Sequence, residues 1–328
     1  MKKIVGLALV SALVAGAAFA DVSVHAWGRS GLDFDLNTTE SDTEAAVTAT
    51  PSWANGSRVG VNFGASTEGD TLGFNLNLDC NGSTFAVGDQ AKIYARLFDV
   101  VTVQFGRIQL DTLRGSIGDW GNRQEFTVAG EDALFTRFNP WRGMTLSYDN
   151  HGLFIGASIC ADSGDTAKET FQKVQAGVGY TITDIAQIKV QYIGSDVAKN
   201  NGTIEAGVDL LMIPGTLVET GVKVYLTEKT GFKGTVGFKG GYDAVSFIGH
   251  ITDSYTNDQN WFGIDSGIEY DFGPCAAGLT GGFSYDTKAA YGVEAYAKKG
   301  YSNGYLFAGA GYSSSKGVFF PVGAEYWF

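Results

Sequence analysis

Proline, cysteine and histidine are scarce in this chain, with five, three and three copies among 328 residues. So few prolines leave long stretches able to pair as strands. Three cysteines cannot all pair internally, which excludes a disulfide-built scaffold; Cys80 and Cys160 form a bridge, or all three stay thiols. His25, His151 and His250 are too far apart in sequence to give metal-ligand spacing, and no cofactor fingerprint accompanies them. Long apolar runs are also missing. Beyond residue 20 nothing approaches the 18 apolar residues of a spanning helix, so a membrane location would require a closed barrel that satisfies its own backbone. Positive charge is in deficit, with 23 basic against 35 acidic residues and a formal charge of −12, which argues against a nucleic-acid partner. No linker or shift of composition divides residues 21–328, so they read as one domain.

Residues 1–20 read as a cleaved secretory signal peptide. Lys2 and Lys3 supply the positive start, Ile4 to Ala17 the apolar core, and Ala18-Phe19-Ala20 the cleavage site. Its removal takes away two lysines and no acid, leaving the mature chain at −14. Glycine is plentiful (46), tyrosine and phenylalanine are frequent (15 and 22), and mean hydropathy is zero. Faces of opposite character that alternate and cancel would give that average.

Such alternation runs through nearly the whole chain. At the C-terminus Val318, Phe320, Val322, Ala324, Tyr326 and Phe328 fall on every second position and form one apolar strip. Leu72 to Leu78, Val218 to Leu226 and Phe262 to Phe272 repeat the pattern, and a helical period fits none of them. The period predicts strands over 22–35, 56–66, 71–80, 84–98, 100–107, 143–149, 152–161, 172–182, 186–195, 202–212, 215–227, 230–240, 243–253, 260–272, 275–286, 288–299, 303–313 and 316–328. Connections after even-numbered strands are tight, whereas 36–55, 108–142, 162–171 and 253–260 are longer. Short turns on one side and long loops on the other mark an all-β, transmembrane antiparallel β-barrel. Eighteen strands are expected, with sixteen as the alternative.

A barrel that wide leaves an aqueous channel, and the connection 108–142 is the segment long enough to narrow it. It holds Asp111, Asp119, Glu125, Glu131 and Asp132 beside Arg114, Arg123, Arg137 and Arg142. On strand phase Arg29, Arg58, Lys92 and Arg96 point inward, with His25, Asp33, Asn62 and Tyr94. Trp27, Tyr94, Tyr225, Trp261 and Tyr296 share the inward phase. So do Lys189, Lys223, Lys233, Lys239 and Lys298 among Glu205, Asp209, Glu219, Asp265, Glu269 and Glu294. Arg107 falls in phase with outward Val103 and Phe105, so it lies at a strand end or past a bulge.

The stretch Val101-Thr102-Val103-Gln104-Phe105-Gly106-Arg107, the long third loop and Met144 to Gly152 together resemble the general porin family of Gram-negative bacteria. The chain lacks the family's acidic Pro-Glu-Phe-Gly-Gly type of loop signature. The resemblance implies a trimeric outer-membrane channel whose third loop folds into the lumen. It also implies a constriction with a transverse field, in which Arg29, Arg58, Lys92 and Arg96 oppose Asp111, Asp119, Glu125, Glu131 and Asp132.

The function expected is passive diffusion of small hydrophilic solutes and ions with a modest cation preference, without enzymatic activity or cofactor. The partners would be outer-membrane lipid, the solutes and two further copies of the chain. A sugar-selective channel with an aromatic track is the alternative, and a structural or adhesive surface barrel a third reading. No serine signature accompanies His25 or His250 on their strands, which weighs against a lipase-like barrel.

Overall fold

Alternating residues can bury one face and expose the other only if the strands pair into a sheet, and here the sheet closes on itself. The computed structural model describes residues 21–36, 47–51, 58–81, 84–114, 136, 142–161, 164–196, 201–226, 230–315 and 317–328. The expected signal peptide lies outside them. The wall begins with β1 (Asp21–Leu36), β2 (Val47–Pro51), β3 (Arg58–Ser66), β4 (Leu72–Asn81), β5 (Thr84–Leu97) and β6 (Val101–Arg107). It continues through β7 (Gly143–Asn150), β8 (Leu153–Cys160), β9 (Gln175–Ile182), β10 (Ala186–Asp196), β11 (Asn201–Leu210), β12 (Thr216–Leu226) and β13 (Gly231–Tyr242). It ends with β14 (Val245–Thr256), β15 (Gln259–Asp271), β16 (Ala276–Tyr285), β17 (Ala289–Tyr301), β18 (Gly304–Ser313) and β19 (Gly317–Trp327).

From β3 onward each strand pairs antiparallel with the next, and β19 returns to β1 from Trp27↔Trp327 to Leu36↔Val318. The other edge of β1 takes β3 along Asp21–Arg29 and β2 along Leu32–Leu36. Since β2 and β3 are two parts of one wall position, the barrel has eighteen strands, not sixteen. Closure removes the sheet edges along β1 and from β3 to β19.

Burial follows strand parity with polarity inverted relative to a soluble core. On β11 Glu205 and Asp209 are buried while Ile204, next to Glu205 on the opposite phase, is exposed, and on β8 Ser158 is buried while Ile155 is exposed. The terminal strip behaves likewise, with Phe320 and Val322 exposed and Phe319 buried on the opposite face. The outer surface is therefore apolar and the inner one polar.

Glycine abundance has a packing cause. Tyr94, Tyr296, Phe307 and Phe319 each stand opposite a glycine on the next strand, namely Gly73, Gly278, Gly323 and Gly311. Each ring lies where the glycine's missing Cβ would be. An aromatic laid across a cross-strand glycine fills the gap and shields the backbone.

Three expectations change. The connection expected at 253–260 is a two-residue turn, because Asn257 and Asp258 both take left-handed φ (53° and 64°) and the strands run up to them. The start of the strand expected over 172–182 is instead the end of helix α1 (Ala167–Gln172). Its Thr166 and Glu169 form a reciprocal capping box, so the chain turns helical before β9 begins at Gln175. No disulfide joins Cys80 and Cys160.

Candidate functional site: the charged inner wall

β1, β3, β4, β5 and β19 bring Trp27, Arg29, Arg58, Asp79, Asp89 and Glu325 around a cavity of about 280 Å³. Arg29 and Arg58 are direct cross-strand partners, and on its other side Arg29 faces Glu325. Both guanidinium carbons sit over the Trp27 ring, at 5.7 and 5.0 Å from its centroid. Such cation–π contacts contribute about 0.5–2 kcal/mol each. Arg58 is also ion-paired with Asp79. Like charges that would repel on adjacent strands are thus held together by an aromatic face and a carboxylate.

Lys92 and Arg96 line a second, larger cavity of about 450 Å³. Asp70, from the turn before β4, accepts the Tyr94 hydroxyl and pairs with Arg96 at 3.1 Å. Asp111, at the start of the long connection, acts electrostatically on Lys92. The four expected wall cations therefore divide into two pairs, one per cavity. Of the expected acids, Asp111 acts on one of the four, Lys92; Asp119, Glu125, Glu131 and Asp132 lie outside the described residues.

The wall itself supplies most of the described counter-charge. Asp70, Asp79, Asp89 and Glu325 were not among the expected site residues. Asp79 alternates with Asn75 and Asn77 on the inner phase of β4, a signal that was readable, whereas Asp70 sits in a turn where phase says nothing. Arg107 stands at the strand end, one of the two places its anomalous parity allowed. Gly106 takes a left-handed φ of 119°, which turns the last residue of β6 so that its guanidinium donates to the Val87 carbonyl at 2.6 Å. There it acts on Asp79 and Asp89.

Across the lumen a second set of charges is closed off from solvent. Lys189 Nζ donates to Asp209 at 2.6 Å, with both side chains almost wholly buried. Glu205 lies 3.8 Å from Lys223 and accepts from Gln191 at 2.5 Å. Thr136, late in the connection 108–142, donates to Glu205 through its amide (2.9 Å) and hydroxyl (2.6 Å) and accepts from Gln191 (2.7 Å). Early in the same connection Leu113 packs with Leu110, Ile193 and the inward ring of Phe154. Burying Leu113 and Phe154 is worth roughly 1.5–3 kcal/mol each. Both described parts of the connection thus rest on inner-face residues.

No family model matches the chain, and no curated protein matches it in sequence. Solved structures do. A triple mutant of Rhodopseudomonas blastica porin superposes with a TM-score of 0.56 at 14% identity, covering 94% of this chain and 100% of that one. A variant of the same porin with one lysine and one arginine replaced by alanine gives the same TM-score, identity and coverage. This is the porin-type barrel. At 14% identity the likeness lies in the path of the backbone.

Proposed function

We propose that this protein is a channel for passive diffusion of small hydrophilic solutes and ions through a water-filled barrel in the bacterial outer membrane. The observation that carries the reading is the inverted burial: charges of both signs on the inside of a closed eighteen-strand wall with an apolar outside. Such a wall solvates ions within and lipid without, and transport needs no energy source. Residues 1–20 fit export by a cleaved signal peptide, and resemblance to general porins supports a homotrimer. Arg29, Arg58, Lys92 and Arg96 would form the wall side of the constriction and Asp111, Asp119, Glu125, Glu131 and Asp132 its loop side. Net charge of −14 favours a modest cation preference. Planar-bilayer recording tests this: steady ohmic current in KCl, indifferent to neutral sugars, is expected. A folded barrel that carries no current would refute it.

A sugar-selective channel is the second reading, favoured by the inward rings of Trp27, Tyr94 and Trp261, the last with Lys233 Nζ 5.8 Å from its centroid. Current blocked by one class of sugar would decide for it.

A further inference from the structure

The larger inner cavity is more than a widening of the pore, because both its cations come from one strand, with Asp70 beside Arg96, while Asp149 stands on another strand away from them. Lys92 and Arg96 enter from β5, while Asp149 enters from β7 and Asp99 from the turn between β5 and β6. Between Lys92 and Arg96 on one side and Asp149 on the other, β6 contributes only the neutral Thr102 and Gln104, which register with Arg96 and Tyr94 on β5 and with Ser147 and Thr145 on β7; Asp99 lies at the turn end of β5 itself. Two strand spacings separate the rows by ~10 Å at the backbone. Long cationic side chains shorten that gap between the charged tips. The Arg96–Asp70 pair is about two-fifths exposed on both sides, so the guanidinium keeps donors available to the cavity. Asp149 is exposed, and no ion pair engages Asp99 or Asp149 among the described residues. Aliphatic and phenyl surface lies beside Asp149: Phe154 is its cross-strand partner, and Leu110, packed on the Phe154 cluster, lines the same cavity.

We propose that this cavity, at the short-turn mouth of the barrel, is a binding subsite for dipeptide-sized zwitterions with an apolar N-terminal residue. The inference rests on the channel reading above and adds a solute class to it. The carboxylate is held by Lys92 and Arg96, the ammonium by Asp149 and Asp99, and the N-terminal side chain lies on Leu110 and Phe154. A solute with one charge meets one favourable and one unfavourable pole, so both termini are needed.

The test is current through the full-length barrel in planar bilayers in KCl, with leucylglycine added from the short-turn side. Saturable block is expected. N-acetyl-leucylglycine and leucylglycinamide, each lacking one charge, should need about tenfold higher concentration, and glycylleucine should be weaker than leucylglycine. Asp149→Asn should abolish the advantage over the acetylated form; should that variant not fold, Lys92→Gln should abolish the advantage over the amide. A KCl current on which leucylglycine acts no better than its blocked derivatives overturns the subsite and leaves the channel standing. Absence of any KCl current overturns both.

Discussion

Trp27 lies flat across Gly60, its direct partner on the neighbouring strand, so that a Cβ at Gly60 would overlap the indole. The same ring carries Arg29 and Arg58. One glycine therefore positions the aromatic platform on which two wall cations rest, and packing of the sheet becomes inseparable from electrostatics of the lumen.

Filling that position should unseat the ring. Gly60→Val is expected to destabilise the barrel by about 1–3 kcal/mol, the usual cost of overpacking. Gly300→Ala, where a Cβ meets nothing within 4 Å, should be nearly neutral. Urea unfolding in detergent micelles checks both, and equal effects would count against the platform.

Charge on the wall should set ion preference. Arg58 and Arg96 are paired with Asp79 and Asp70. Converting both arginines to glutamine leaves those carboxylates uncompensated, so the cation-to-anion permeability ratio should rise. Reversal potentials across a KCl gradient measure this; unchanged potentials would remove the two arginines from the selective region.

The pair Lys189–Asp209 should behave as a buried ion pair. Lys189→Met alone strands a carboxylate inside the wall and should cost about 3–5 kcal/mol. Lys189→Met with Asp209→Leu should recover much of that loss, because the carboxylate stranded by the single change is removed. A double variant as unstable as the single one would contradict the assignment.

Helix α1 should be sensitive to acid. Hydrogen bonds from the Thr166 backbone and hydroxyl hold the Glu169 carboxyl below the usual glutamate range. A depressed folded-state pKa gives stabilisation that is present above the ordinary value and lost as pH falls through the lowered one. Amide exchange over Ala167–Gln172 should accelerate across that acidic interval, and Thr166→Ala, which removes the hydroxyl and keeps the backbone donor, should return Glu169 only part of the way to its ordinary titration. An NMR titration in micelles reads both.

The turn after β5 holds a strained residue. Phe98 has a left-handed φ of 54° and a side chain 90% exposed. A left-handed backbone costs a side-chain-bearing residue roughly 1–2 kcal/mol, so Phe98→Gly should stabilise the fold by about 1 kcal/mol, net of glycine's entropy. Lower stability in the thermal melt would mean that the ring is held by a contact.

Alternation of side-chain character was enough to expect the barrel and its inner face from residues alone, because a period of two leaves one choice per strand; it put eighteen strands ahead of sixteen, and the pairing of β1 decided between them. The same logic gave the inward phase of Arg29, Arg58, Lys92 and Arg96. It ran out wherever backbone φ, not polarity, decides. Gly106 flips Arg107 inward, Asn257 and Asp258 shorten a loop into a turn, and Thr166 with Glu169 winds a helix ahead of β9.

Which face each residue occupies was thus written in the linear order, since it depends only on neighbours two positions away. Which residue meets which was not. The pairing of Arg58 with Asp79, of Arg96 with Asp70 and of Thr136 with Glu205 joins segments tens of residues apart. Register and closure bring them together, and only the folded barrel fixes register and closure.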